Sequence, residues 1–378
     1  FAVGFVARPL GGVIFGHYGD RVGRKKTLVV ALMMMGVATT LIGLLPTYAS
    51  IGVLAPLMLV LLRFVQGLAI GGQWGGAMLL VTENAPVEKR GWYGAYAQAG
   101  APVGVILANL AFLGVSAGLS EEEFMDWGWR LPFIASFVLI IISMYVQLKL
   151  EDTPAFKALA ESKAENPDEA SGLEKSPVAE VIRRYPKRIV LAAGAFLSIQ
   201  VTFYILIAFI VAYGVNSPTV ELSRDVMLTA VLIAAAIMVP TQFYFSGLSD
   251  RIGRKRVYQW GAILTGFWGF ALFPLIDTGN PYAIVLAVSL GLVFLGMQYG
   301  PQAAFFTELF STEVRYSGAS LGYQLGAIVG GALAPTIAVL LWNNFGIFYV
   351  SLYIALAAAL TLLSLSALTE TQGKDLTE

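Results

Sequence analysis

The stretch Asp20-Arg21-Val22-Gly23-Arg24-Lys25-Lys26 returns late in the chain as Asp250-Arg251-Ile252-Gly253-Arg254-Lys255-Arg256. Each copy sits between two long apolar runs. A second correspondence follows each one: Thr82-Glu83 with Glu88 and Arg90 is echoed by Thr307-Glu308 with Glu313 and Arg315, and a glycine-rich run comes next. A repeat on this scale means two copies of one structural design.

The material between the repeats is apolar. Of 378 residues 57% are hydrophobic and 13% charged, more apolar surface than a soluble domain can cover. A bilayer-crossing helix needs about 20 such residues. Eleven segments qualify: 1–17, 27–46, 55–82, 91–116, 129–149, 188–213, 225–246, 257–276, 281–307, 316–342 and 346–368. The expected fold is an all-α, polytopic membrane protein of two pseudo-symmetric bundles. Residues 1–149 form the first bundle and 188–368 the second, with a polar linker at 150–187 and a tail at 369–378. The linker's last part, 177–188, reads as a solvated connector in preference to a surface helix.

Alternate loops divide the charge unevenly. Of the 24 Lys and Arg, 20 fall on one side, only Arg130 and Arg224 on the other, and Arg8 and Arg63 lie within spans. Lys and Arg are retained on the cytoplasmic side during insertion, which places that side and the C-terminus inside a multi-pass inner (plasma) membrane protein. Two spans precede the basic stretch in the second half and one in the first. Twelve helices are therefore expected, the first lying ahead of Phe1.

Several classes are excluded. Positive and negative charges balance, so no global field points to nucleic acid. There is no cysteine, and His17 alone makes no metal site; it reads as interfacial. No catalytic constellation or phosphate-binding loop is present, so the chain is not read as an enzyme.

Charged side chains in hydrocarbon cost about 2.5–3.5 kcal/mol on insertion scales, so Arg8 and Arg63 call for explanation. Arg8 is open to two readings, a buried ion pair with a neighbouring helix or an anion site. Arg63, Gln66, Gln73 and Trp74 share roughly a third of a helix circumference, a face expected to line a cavity. Gln98, Gln200, Tyr204, Gln298, Gln302, Tyr323 and Gln324 are further candidates for substrate contact, with interhelical hydrogen bonding as the alternative. Gly67, Gly71 and Gly75, and Gly318, Gly322, Gly326 and Gly330, carry the spacing of close helix packing. The repeated stretches read as a conformational latch of Asp20, Arg21, Gly23, Arg24 and Lys25, and of Asp250, Arg251, Gly253, Arg254 and Lys255. Glu83, Arg90, Glu308 and Arg315 are grouped with them. Each Asp is expected to cap the helix that follows it and to pair with an Arg. A merely topogenic cluster explains the cations but not the repeated Asp and Gly.

The two basic stretches resemble the signature of the major facilitator superfamily. Gly4-Phe5 through Arg8-Pro9-Leu10-Gly11-Gly12, Arg63 through Gln66-Gly67 to Trp74-Gly75-Gly76, Trp127-Gly128-Trp129-Arg130 and Tyr299-Gly300-Pro301-Gln302 resemble its metabolite:proton symporters. That branch includes carriers for shikimate, 2-oxoglutarate, citrate and proline/betaine. The resemblance implies two six-helix bundles around a central cavity, alternating access, and a proton as coupling ion with no other cofactor. Gln73 departs from the Glu that relatives often have, and Ser246 from the usual Gly. The family's coupling carboxylate is expected on the first helix, ahead of Phe1. The leading expectation is uptake of a small organic anion, shikimate-like or a di- or tricarboxylate, by a monomer in the bilayer, with Arg8 and Arg63 supplying positive potential. A zwitterionic osmolyte held by Trp74, Tyr204 and Tyr323, or drug efflux, are the alternatives.

Overall fold

A computed structural model describes residues 2–149, 151–165, 177–220 and 222–374, and among these the secondary structure is entirely helical. The first bundle holds α1 (Ala2–Val22), α2 (Arg24–Leu44), α3 (Leu54–Asn84), α4 (Val87–Ala117) and α5 (Arg130–Lys149). The linker contains α6 (Pro154–Glu165) and α7 (Pro177–Arg184). The second bundle holds α8 (Pro186–Asn216), α9 (Arg224–Ile252), α10 (Arg254–Ile276), α11 (Pro281–Glu308), α12 (Thr312–Phe345) and α13 (Ile347–Ala367). Ten of these helices are long and apolar enough to cross a membrane. α1 matches α2 in length, but Arg8, His17 and Asp20 interrupt it and it is not among the ten.

The basic stretches are barely loops. Only Gly23 separates α1 from α2, and only Gly253 separates α9 from α10. Their φ values of 126° and 111° lie where an L side chain is strained. A side chain at Gly23 would also overlap the Asp152 carboxylate, and one at Gly253 would come 2.6 Å from Glu370 Oε2. The glycine in each repeat is therefore required by the backbone.

Within the first bundle α1 crosses α3 closely, because a Cβ at Gly67 or Gly71 would run into the carbonyls of Gly4 and Arg8. Gly75 does something else. It faces Ser320 and Tyr316 of α12, in the opposite half, as do Gly12, Gly16 and Gly19 of α1 toward Gln324, Ser317 and Tyr316. Together Gly12, Gly16, Gly19 and Gly75 form a smooth groove into which α12 fits. A second seam joins α4 to α9 and α11.

Residues 177–184, expected to be solvated, form a docked helix instead. Val178 and Val181 lie one turn apart and are buried with Pro177, so apolar burial outweighs the flanking charge. The acidic stretch Asp168–Lys175 lies outside the described residues.

Candidate functional site

A cavity of about 160 Å³ lies between the halves, lined by Arg8, Ala101, Phe196, Ile199, Gln200, Phe203, Tyr204, Leu295, Tyr299 and Tyr323. Arg8 is the one cation on its wall. Its guanidinium stands 3.9 Å from the centre of the Phe5 ring, and its buried Nε has no hydrogen-bond partner. Among the described residues no carboxylate pairs with it. Of the two readings of Arg8, the buried ion pair finds no carboxylate partner among the described residues, and the half-buried guanidinium faces an aromatic chamber.

Tyr323 stacks on Phe196 (centroids 4.1 Å apart) and on Trp74 (4.0 Å), so rings from both halves form one column at the cavity's edge. Trp74 Nε1 donates to Gln98 Oε1 (3.0 Å), and Gln98 Nε2 donates across the halves to the Tyr299 carbonyl (2.8 Å) and Gln302 Oε1 (3.2 Å). Trp74 also meets Phe306, close to Glu308 at the basic end of α11. The column lies between the cavity and the basic face.

Three residues of the expected cavity face are not on the cavity's wall. Arg63 is exposed and donates to Gln66 (3.3 Å), Gln66 donates to Thr39 of α2 (2.7 Å), and Gln73 donates to the Ala31 carbonyl of α2 (3.4 Å). At about 100° per residue, Gln66 and Gln73 stand a quarter-turn from Trp74, enough to face a different helix. Gln298 bonds Thr265 of α10 (2.8 Å) and Gln324 reaches the Gly71 carbonyl (3.4 Å). Neither of these lines the cavity. Tyr299, by contrast, enters the wall together with the expected Arg8, Gln200, Tyr204 and Tyr323.

At the basic face the repeated residues meet across the halves. Asp20, 2% exposed, accepts from Tyr316 N (3.1 Å), Ser317 N (3.0 Å) and Ser317 Oγ (2.7 Å) of α12, and from Arg24 (3.0 Å). Arg24 Nη2 donates to the Thr312 carbonyl (2.7 Å), and Arg315 donates to Glu83 (2.9 Å). In the second copy Asp250 accepts from Gly91 N and Trp92 N of α4 (both 2.8 Å) and from Arg254, which also pairs with Glu308 (3.3 Å). Arg90 stands 4.0 Å from Glu308 and donates to the Lys374 carbonyl (2.6 Å). Each Asp therefore sits at a helix start in the opposite half, where free N–H groups and the helix dipole favour an anion.

That corrects the expectation that each Asp caps the helix following it. Those helix starts are taken by two residues the sequence reading missed. Asp152 accepts from Arg24 N (2.9 Å) and Lys25 N (3.2 Å), and Glu370 from Arg254 N (3.0 Å) and Lys255 N (3.1 Å). Their neighbours repeat as well: the Thr153 hydroxyl donates to Glu83, and Thr371 to Glu308 (2.6 Å). The signal was an acidic residue followed by Thr just beyond the last span of each half. Arg21 bonds His17 (3.3 Å), Lys25 the Gln147 carbonyl (3.3 Å) and Lys255 the Leu368 carbonyl (2.8 Å). In the tail, burial and then the nearby Arg188 and Arg315 hold Lys374 below the usual lysine value.

Residues 1–321 match the family model described as Major Facilitator Superfamily. The "Inner membrane metabolite transport protein YhjE" of Escherichia coli (strain K12) is 43% identical, over 100% of this chain and 84% of that protein. The "Shikimate transporter" of the same strain is 38% identical over 97% of this chain and 82% of that protein, and its "Proline/betaine transporter" is 32% identical over 100% and 75%. A solved structure of the proton:xylose symporter XylE superposes with a TM-score of 0.79 at 16% identity, covering 100% of this chain and 87% of that one; this likeness speaks to the fold. The chain belongs to the major facilitator superfamily and is a multi-pass membrane transporter of metabolites, not an enzyme.

Proposed function

We propose that this transporter takes up a small organic acid bearing a single carboxylate, together with a proton, by alternating access. One observation carries the reading: Arg8 is the lone cation on the cavity wall, with no carboxylate partner among the described residues. A carboxylate docked on Arg8 satisfies that charge with charge-assisted hydrogen bonds. Gln200, Tyr204, Tyr299 and Tyr323 offer hydrogen-bonding groups to hydroxyls on the rest of the molecule, and the rings of Phe196 and Phe203 offer a face to a flat carbon skeleton. Because Arg63 lies away from the cavity, a second or third carboxylate would find no matching cation. That favours a shikimate-like acid over di- and tricarboxylates, and the shikimate carrier among the relatives supports it. The basic face, with both latches engaged, is the cytoplasmic side in this reading.

The ring-lined wall supports a second reading, a zwitterion whose cationic end rests on aromatic faces while its carboxylate meets Arg8, consistent with the proline/betaine relatives. Proteoliposome uptake decides between them. With an imposed proton gradient, shikimate should accumulate at least about tenfold over citrate and over betaine, and collapse of the gradient should abolish accumulation. Betaine preferred over shikimate would establish the second reading. Citrate transported as well as shikimate would refute the single-carboxylate site.

A further inference from the structure

Each seam between the halves buries one serine hydroxyl and one glutamine amide that the repeat does not account for. In the seam of α1 with α12 they are Ser320 and Gln324 of α12, and in the seam of α4 with α9 they are Ser246 and Gln242 of α9. Aligning the two copies of the repeat matches Ser320 and Gln324 with Ala95 and Ala99, and Ser246 and Gln242 with Gly16 and Gly12. The two pairs therefore enter from different elements of the design, with a small residue at each equivalent position.

They nevertheless arrive at the same place. Gly75 and Gly300 are equivalent in the repeat, and a Cβ at each would come 2.1 Å from Ser320 Oγ and 2.3 Å from Ser246 Oγ, respectively. One turn away stand the equivalent Gly71 and Gly296. The Gly71 carbonyl accepts from Gln324 (3.4 Å), and a Cβ at Gly296 would lie 3.8 Å from Gln242 Cβ. α4 covers the second pair, since a Cβ at Gly91 would come 2.6 Å from the Ser246 carbonyl oxygen. All four side chains are fully buried. Neither end of the Gln242 amide has a hydrogen-bond partner among the described residues, nor do Ser246 Oγ, Ser320 Oγ and Gln324 Oε1. Unsatisfied polar groups weigh against the closed arrangement, and the alanines and glycines at the equivalent positions show that packing does not require them.

We infer that these four side chains are the polar walls of the passage by which the substrate leaves toward the basic face. Ser246 is one turn from Asp250, and Ser320 lies between Ser317, which bonds Asp20, and Tyr323 of the cavity wall, so both pairs stand between the cavity and the latches. With the basic face closed they are cut off from water. When the halves part there, both seams open onto the path from the cavity, and the hydroxyls and amides meet water and the polar groups of the departing molecule. Their desolvation in the closed arrangement also biases the basic face toward reopening. The inference rests on the alternating access of the proposed function and not on which acid is carried.

The test uses the full chain in proteoliposomes of one orientation, where Ser246→Cys is a single thiol because the chain has no cysteine of its own. A charged, membrane-impermeant thiol reagent should label it from the basic face and not from the outer face. Adding Ser320→Ala on the opposite seam should slow that labelling by roughly fivefold or more, because one unsatisfied group is then gone from the closed state. Adding Gln298→Met instead, which breaks the bond to Thr265 inside the second half, should leave labelling unchanged. Gln242→Met, similar in length but without polar ends, should raise the melting temperature of the purified protein and slow uptake. Labelling from the outer face, labelling no slower with Ser320→Ala, an equal slowing by Gln298→Met, or a lower melting temperature in Gln242→Met would each overturn the inference. A thiol that reacts from neither face would overturn alternating access itself, and the inference with it.

Discussion

Arg8→Ala should lower uptake of a carboxylate substrate by roughly 10- to 150-fold while leaving the protein folded. The magnitude follows from losing a hydrogen-bonded charge contact, about 1.5–3 kcal/mol. Arg8 has no carboxylate partner among the described residues that would be left orphaned by its removal, so the cost should fall on transport and not on stability. Arg8→Lys keeps the charge but loses the planar fork, and should retain part of the activity. Uptake and melting temperature measured side by side check this. A variant that melts much earlier would mean that Arg8 is structural, and one that transports normally would remove it from the site.

Gly75→Ala should jam the basic face open. An added methyl would overlap the Ser320 hydroxyl and come 3.0 Å from the Tyr316 ring, across the seam that closes when the latches engage. Overpacking of this kind costs about 1–3 kcal/mol, a factor of roughly 5 to 150 in the ratio of closed to open states. The chain contains no cysteine, so a single engineered thiol is a clean reporter. Ala303, buried against Gly94 on the other seam, should in an Ala303→Cys background react faster with a charged thiol reagent supplied from the basic face. Because the reporter sits on the seam opposite the added methyl, faster labelling reports separation of the halves and not local distortion. Gly104→Ala, where nothing lies within 4 Å, should change neither labelling nor transport. Unchanged labelling in Gly75→Ala would mean that the groove is not a closing surface.

The contrast among the glycines shows where sequence reading stops. The stride-four pattern of Gly67, Gly71 and Gly75 announces close packing, but not whose helix approaches. Gly71 admits α1 of its own half, and Gly75, one turn on, admits α12 of the other. The same limit explains the aspartates. Their repetition marked them as functional, and their pairing with Arg24 and Arg254 followed from i,i+4 spacing. Which helix start each one caps depends on how the halves dock, a relation between residues 296 positions apart for Asp20 and 159 for Asp250.

Residues in hydrocarbon were easier to read than residues in water. An arginine inside an apolar run is conspicuous because it is costly, so Arg8 stood out. Asp152 and Glu370 each hold two backbone N–H groups at a helix start, but they lie beyond the spans, where a carboxylate costs little and draws no notice. Arg63 was marked by the same cost, and the structure places it exposed, bonded to Gln66 and off the wall of that cavity. The spans themselves were legible almost to the residue at several ends, because twenty apolar residues in a row have few other uses.

In the proposed function the cavity recognises one carboxylate through Arg8. The most direct measurement compares binding of shikimate with that of its primary carboxamide, by calorimetry on the purified transporter. The two ligands have nearly the same shape and differ in the charge that Arg8 would meet. The carboxylate should bind at least about tenfold more tightly, and the difference should vanish in Arg8→Gln. Equal affinity of acid and amide for the unaltered protein would contradict the account.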